Sequence, residues 1–456
     1  MTKARDLGNL GSDIGTAATE DTGTGATQLP RNSDLGTAAI LDTGTAAGQL
    51  PTNGNLNQAI GNINNPLLDL PLNNSLAMKQ GVGSVTYTCA TTSTYVDRYG
   101  TLKYAAIDEP RFEKEGLLIE GASTNIVKES EDLSSGYWFS NRATVNTNVR
   151  AAPDGTTTVN KIIEDASASN THYTRSILSG LLATGTTYTG SVFLRAAERT
   201  KCQIRFGDTN GSDAINVNLA TGTITTTGTA TGTIVALDDG FYRVSVTVTI
   251  SAGNNYFYIN LADGAGSTYY SGDGVSGIYA WGAQVEELPF ASSYIPTSTV
   301  AVTRSANYCQ LTMENNIPQI GEDFSILVDA STIGRIETSS QYIMRTTTGI
   351  LFMIFDEGSA DTFRTNYSSS TIDATTRLSI NTAYRLGMSY AADSNTMSQL
   401  KDGVVLATAA PTLTEFPSLG SINIGTTTIS TLHLFGHVKN FRIYDRALTA
   451  SEVNMA

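Results

Sequence analysis

The chain has 456 residues and a formal net charge of −14, from 28 Lys and Arg against 42 Asp and Glu. An acidic, lysine-poor chain lacks the basic patches that phosphate backbones and anionic membranes require, so nucleic-acid partners and membrane docking are excluded as expectations. Hydrophobic residues make up 40% and charged residues 15%, with 42 Gly, 11 Pro and 20 Tyr, which favours strands and turns over helices and leaves Thr, Ser, Asn and Gly to cover the surface.

Met1-Thr2-Lys3-Ala4-Arg5 is not followed by an apolar stretch, so no signal peptide is expected. No run of about 18 apolar residues occurs, so no membrane insertion is expected. Residues 1–80 are poor in aromatics and contain a segment written twice. Asp13-Ile14-Gly15-Thr16-Ala17-Ala18 returns as Asp34-Leu35-Gly36-Thr37-Ala38-Ala39, and Gln28-Leu29-Pro30 returns as Gln49-Leu50-Pro51. The shift is about 21 residues, within the range of repeat architectures. Such a unit has too few large apolar residues to offset the entropy of ordering it alone. It is expected to order in an assembly, with free disorder as the alternative. Asp13, Gly15, Leu29 and Pro30 of the first copy, and Leu35, Gly36, Leu50 and Pro51 of the second, are the expected attachment residues. The apolar patch Pro66, Leu67, Leu68, Leu70, Pro71 and Leu72 is expected to be covered by partner subunits or by the assembly.

Residues 81–309 alternate. Tyr242, Val244, Val246, Val248 and Ile250 fall on one face, and Arg243, Ser245, Thr247 and Thr249 on the other, the pattern of a half-buried antiparallel strand. Cys202, Ile204 and Phe206 repeat it, as do Ile215, Val217 and Leu219, then Phe257, Ile259 and Leu261. Turn clusters such as Asp238-Asp239-Gly240 and Asp263-Gly264-Ala265-Gly266 separate them, which predicts a sandwich or jelly roll. A second sandwich is predicted over 310–456, with strands Phe324 to Val328, Tyr342 to Met344, Ile350 to Phe355, Tyr384 to Tyr390, Val404 to Ala407 and Phe441 to Tyr444. Lys401-Asp402-Gly403 reads as a hairpin turn and Thr449 as the N-cap of a short helix. The fold class is therefore mainly β: an extended repeat-containing segment followed by two antiparallel sandwiches.

Three resemblances add to this reading. The N-terminal repeats resemble the N-terminal segments of tailed-bacteriophage tail-fibre proteins. Tyr95 to Gly100, Gly116 to Asn125, Gly277 to Glu286 and Ser293 to Thr297 resemble a jelly-roll module of phage structural proteins that is similar to carbohydrate-binding jelly rolls. Gly436 to Thr449 resembles the closing strand of laminin-G or concanavalin-like sandwiches. The resemblance implies a virion component assembled in the host cytoplasm: a trimeric tail fibre whose sandwiches adhere to host surface glycans, with other virion proteins as partners. The alternatives are a head fibre or decoration protein that binds no sugar, and a glycan depolymerase.

No HExxH, GxSxG or P-loop pattern occurs, and the chain is expected not to be an enzyme. The acids Asp108, Glu109, Glu113 and Glu115, interleaved with Arg111 and Lys114, read as a charged turn around Pro110 rather than a glycosidase pair. His433 and His437, if on one strand, lie about 13 Å apart and cannot share a metal ion. The three cysteines, Cys89, Cys202 and Cys309, form no framework and no CxxC pair. Trp281 is expected in the core. Tyr269, Tyr270 and Asp273, an aromatic and acidic loop, are the expected ligand-binding residues. No cofactor is expected, with a structural calcium at Asp208, Asp213, Asp263 or Asp273 left open.

Overall fold

The computed structural model describes residues 65–456, apart from 179, 208–212, 252–255, 314, 320, 337–339, 350, 357–361, 369, 414–419 and 427–431 and the side chains of 356 and 374–377. The chain divides into two units, Met1–Asn65 with Met455–Ala456, and Pro66–Asn454. The repeats and all eight expected attachment residues, Asp13 through Pro51, lie outside the described residues.

Pro66–Asn454 contains two antiparallel β-sandwiches. In the first, one sheet runs in the order Val404–Ala409, Thr396–Lys401, Tyr384–Ala391, Phe324–Thr332, Gly436–Tyr444, Gly116–Ile119, Phe112–Glu113, with Leu68–Leu70 also paired to Gly436–Tyr444. The facing sheet runs Thr86–Thr88, Tyr308–Thr312, Ser421–Ile424, Gln341–Thr346, Leu351–Asp356, Thr362–Tyr367, Ser370–Arg377. Leu68, Leu117, Ile326, Met353, Ile424 and Ile443 from the two sheets share one buried core.

The second sandwich lies wholly between Gly116–Ile119 and Tyr308–Thr312 in the chain. One sheet runs Ile234–Ala236, Tyr242–Thr249, Thr187–Ala196, Gly277–Glu286, Asn160–Glu164, Ala143–Asn146; the other runs Thr223–Thr227, Ala214–Asn218, Lys201–Phe206, Tyr256–Ala262, Tyr173–Ile177, Trp138–Asn141. The alternating residues behave as their period requires: Val244, Val246, Ile204 and Ile259 are buried in one core, while Arg243 and Thr247 are only half-buried. Trp281 is buried with its Nε1 donating to Thr158 Oγ1 at 2.8 Å. Cys89, Cys202 and Cys309 are free and buried.

Strand pairing does not follow the expected boundaries at 80/81 and 309/310. Leu68–Leu70 pairs with Phe441 to Ile443, Thr86–Thr88 with Tyr308 to Gln310, and Leu117 to Ile119 with Gly436 to Val438. The second sandwich is thus an insertion into the first. Its two ends leave through a neck in which Ser123, Thr124 and Asn125 pair with Arg304, Thr303 and Val302. The apolar patch is corrected accordingly. Leu68, Leu70 and Leu72 are fully buried against this chain's own sheet, so no other subunit is needed to cover them.

The neck is polar and buried. Arg111 Nη1 donates to Glu120 Oε2 at 2.7 Å and to Thr94 O at 2.9 Å, and Arg111 Nη2 donates to Asn307 Oδ1 at 2.5 Å. Ser293 donates its N–H and hydroxyl to the same carboxylate, at 2.8 and 2.7 Å. Arg304 Nη2 stands 3.5 Å from Glu120, close enough for attraction between charges but not aligned as a hydrogen bond. Burial by itself raises the Glu120 carboxyl; Arg304, Arg111 and Ser293 overcome it and bring it down to about 2. In the charged turn expected around Pro110, Arg111 is fully buried and pairs with Glu120 rather than with the acids of the turn.

The Lys401-Asp402-Gly403 turn joins Thr396–Lys401 to Val404–Ala409, with φ of 48° at Asp402 and 71° at Gly403, the two positive values a tight hairpin needs. Thr449 and Glu452 form a reciprocal cap on the helix Ala450–Met455: Glu452 Oε2 accepts Thr449 N–H at 2.8 Å and Thr449 Oγ1 accepts Glu452 N–H at 3.4 Å.

Candidate functional site

The face of the inserted sandwich's second sheet turned away from its core carries two rows of aromatic, guanidinium and amide side chains. Across four strands, Arg205 pairs with Tyr258, Tyr258 with Arg175, and Arg175 with Phe139. Side chains on paired residues project to the same side, so cation and ring alternate along the row. The Arg175 guanidinium lies 3.8 Å from the Tyr256 ring centre, 5.0 Å from Phe139 and 5.4 Å from Tyr258. Arg175 Nη1 donates to Tyr258 Oη at 2.6 Å, and the Arg205 guanidinium lies over the Tyr258 ring, 3.7 Å from its centre. Two residues along, Asn216, Gln203 and Asn260 form an amide chain: Gln203 Nε2 donates to Asn216 Oδ1 at 2.9 Å, and Asn260 Nδ2 donates to Gln203 Oε1 at 3.1 Å.

These contacts hold the planar groups rigidly. Tyr258, Arg205 and Asn260 are covered, but Phe139 is 44% exposed and Arg175, Tyr256, Gln203 and Asn216 are half-buried. An exposed ring beside a guanidinium and an amide chain offers a stacking surface for apolar C–H faces and directed partners for hydroxyl groups. The amphipathic alternation that identified the inner face also contains this outer one. Tyr173-x-Arg175, Tyr256-x-Tyr258-x-Asn260 and Gln203-x-Arg205 place aromatic, guanidinium and amide groups at every second position. The sequence reading followed only the apolar partners of these residues.

The expected ligand loop is built differently from a platform. Tyr269 is 62% exposed, while its neighbour Tyr270 turns inward. Tyr270 Oη donates to Glu164 Oε2 at 2.6 Å, and its ring lies 4.8 Å from that of His172 and 5.1 Å from the Arg199 guanidinium. Burial, followed by the hydrogen bond to Glu164, pushes the Tyr270 hydroxyl well above its ordinary value. Asp273 accepts from Ser276 Oγ at 2.6 Å, Ser276 N at 2.7 Å and Val275 N at 2.9 Å, and these bonds hold its carboxyl well below the usual range. Of the three residues, Tyr269 and Asp273 are exposed and Tyr270 is buried, and the Asp273 carboxylate is engaged by the backbone and Ser276 of its own loop.

Among the described residues, the acids considered for calcium, Asp213, Asp263 and Asp273, form no group of three close donors. Asp208 lies outside the described residues. Asp263 accepts from Gly266 N and Ser267 N, both at 2.8 Å, and Asp213 accepts from Thr229 N at 2.7 Å. Each of these carboxylates, like Asp273, closes its own loop.

A cleft of about 720 Å³ opens beside the hairpin Ser93–Val96 and Leu102–Ala105, lined by Tyr95, Asp97, Arg98, Tyr99, Glu109 and Phe112 among others. Tyr99 is 76% exposed there. Asp97 accepts from Tyr99 N and Thr101 N at 2.9 and 3.1 Å, and Glu109 from Ala106 N at 2.7 Å, so both carboxylates shape the loops that form the cleft.

No family model matches the sequence, and no curated protein is significantly similar to it. Among solved structures, the heptameric SAP-like pentraxin of Limulus polyphemus is 16% identical, with 32% of this chain and 73% of that chain covered and a TM-score of 0.25. The CBM40 of the Ruminococcus gnavus IT-sialidase, bound to α2,3-sialyllactose, is 14% identical, with coverage of 29% and 81% and a TM-score of 0.25. The Trypanosoma rangeli sialidase, in complex with the inhibitor DANA, is 12% identical over 65% of this chain and 60% of that chain, again with a TM-score of 0.25. The expectation that this chain is not an enzyme is withdrawn on the finding of sialidases among the similar structures. Likeness at this level, in turn, assigns the chain no reaction.

Proposed function

We propose that this chain is a glycan-binding protein of a bacteriophage virion, and that it engages sugar on the outer face of the inserted sandwich. The observation that supports this is the Arg205–Tyr258–Arg175–Phe139 row beside the Asn216–Gln203–Asn260 chain. Pyranose rings present an apolar face and flanking hydroxyl groups, which rings and planar polar groups recognise together. In this reading the N-terminal repeats mount the chain on the tail and a homotrimer multiplies modest single-site affinities. The closing experiment is titration of the full chain with host surface polysaccharide. Wild-type protein binds, and Phe139→Ala and Arg175→Ala each weaken binding at least tenfold. Absence of wild-type binding, or equal binding by both variants, overturns the proposal. Deleting Asp13 to Pro51 leaves folded sandwiches that fail to enter virions, and normal incorporation refutes the mounting role.

A further inference from the structure

The hairpin formed by Phe112–Glu113 and Gly116–Ile119 brings two acids, Glu113 and Glu115, against a histidine from the far end of the chain. Gly116 pairs with Glu113 on one side, and the strand Gly116–Ile119 pairs on the other side with Gly436–Tyr444, where His437 faces Leu118. Gly116 has a φ of 131°, and a Cβ there would come within 2.6 Å of Val438 O, so the two strands approach too closely for a side chain at this position. Glu113 reaches across to the third strand, and His437 Nε2 meets Glu113 Oε2 at 2.8 Å.

Both groups are held from behind. Glu113 Oε1 accepts Val96 N–H at 2.7 Å. His437 is 5% exposed, and its Nδ1 faces Ser331 Oγ at 3.5 Å, so Nε2 is the nitrogen aimed at the cluster. Glu115 is exposed and free to turn, and one donor atom from each of the three residues lies within 4.8 Å of the others. Donors on one zinc ion lie at most about 4.2 Å apart, twice the metal–ligand distance, so a small rotation of the Glu115 side chain closes the set.

We propose that Glu113, Glu115 and His437 form a binding site for a divalent transition-metal ion of the zinc type. An imidazole nitrogen with two carboxylates suits zinc and its neighbours, whereas calcium takes oxygen donors alone. Val96 N–H and Ser331 Oγ act as the outer supports that fix ligand orientation. On binding, the neutral imidazole keeps its one proton on Nδ1, facing Ser331 Oγ, so that the Nε2 lone pair and a Glu113 carboxylate oxygen bond the ion; a second ring proton, where present, leaves to solvent. The ion then ties the hairpin to the strand Gly436–Tyr444, the last strand of the chain, across more than 300 residues of sequence. Three protein donors leave the ion a further position for water or a ligand oxygen.

Calorimetric titration of chelator-treated full-length protein with zinc chloride tests this. Wild-type protein binds one zinc ion at this site and binds calcium at least a hundredfold more weakly. Glu115→Gln, an exposed change that leaves the fold in place, weakens zinc binding at least tenfold, and His437→Ala abolishes it. Cobalt(II) loaded in place of zinc gives visible absorption bands that are lost in His437→Ala. Zinc binding equal to wild type in Glu115→Gln, or no zinc binding by the wild type, overturns the proposal; either result leaves the glycan reading standing.

Discussion

Arg111 and Glu120 meet at 2.7 Å with neither side chain reaching solvent, at the point where one sandwich is threaded into the other. A buried pair of this kind adds little against an apolar replacement, but removing one partner strands the other charge. Here the pair is also bonded to Thr94, Ser293 and Asn307, which come from both sides of the insertion. Its consequence is geometric specificity at the neck.

Glu120→Ala is expected to destabilise the protein by about 3–5 kcal/mol, because two buried arginines lose their counter-charge. Chemical denaturation of the two proteins at pH 7 measures this. A midpoint unchanged between them would show the charges to be solvated after all.

The same residue sets an acid limit. The Glu120 carboxyl falls from its ordinary 4.5 to about 2 in the folded chain. As pH falls, the unfolded chain takes up this proton first, so the contribution of Glu120 is complete above pH 4.5 and is lost progressively down to about pH 2. Stability measured against pH over that window should fall in the wild type and fall less steeply in Glu120→Gln.

The insertion predicts unequal fragments. Residues 122–305 contain a complete core and both neck strands, and are expected to fold alone with a cooperative thermal transition. Residues 310–456 lack Leu68–Leu70, Thr86–Thr88 and Gly116–Ile119 and leave the strand Gly436–Tyr444 and the core it covers open. They are expected to aggregate or remain unfolded; circular dichroism and dispersed amide resonances distinguish the outcomes.

Leu70 is fully buried and pairs with Phe441 of the neighbouring strand Gly436–Tyr444. Leu70→Ala is expected to cost about 2–5 kcal/mol by the cavity it leaves. A change below about 0.5 kcal/mol, the range of surface substitutions, would mean that the segment is not part of the core.

Tyr270 and Phe139 should separate structure from recognition. Tyr270→Phe removes the hydrogen bond to Glu164 and is expected to cost about 1.5–3 kcal/mol, the range for bonds to charged groups, with glycan affinity unchanged. Phe139→Ala, on an exposed ring, is expected to do the reverse. Denaturation midpoints and glycan titrations on both variants provide the comparison.

Local chemistry determined much of this chain. Period-two alternation assigned Val244, Val246 and Val248 to a core face because successive strand side chains point to opposite sides whatever the neighbouring strand is. Asp402-Gly403 and Thr449-Ala450-Ser451-Glu452 specified a turn and a cap because both are closed within four residues. Strands such as Thr362–Tyr367 and Ser370–Arg377 escaped notice because Thr, Ser and Asn mark their faces only weakly.

Tertiary structure decided which strands pair, and alternation carries no label for a partner. Leu68 therefore read as a patch awaiting another subunit, when its partner Ile443 lies 375 residues further on. The same long-range pairing sends Arg111 into the neck and sets His437 beside Glu113. It also aligns Arg205, Tyr258, Arg175 and Phe139 from four strands into one row. Each of these residues is legible singly in the sequence as a charge or a ring, and its chemistry follows from neighbours that only the closed sheets supply.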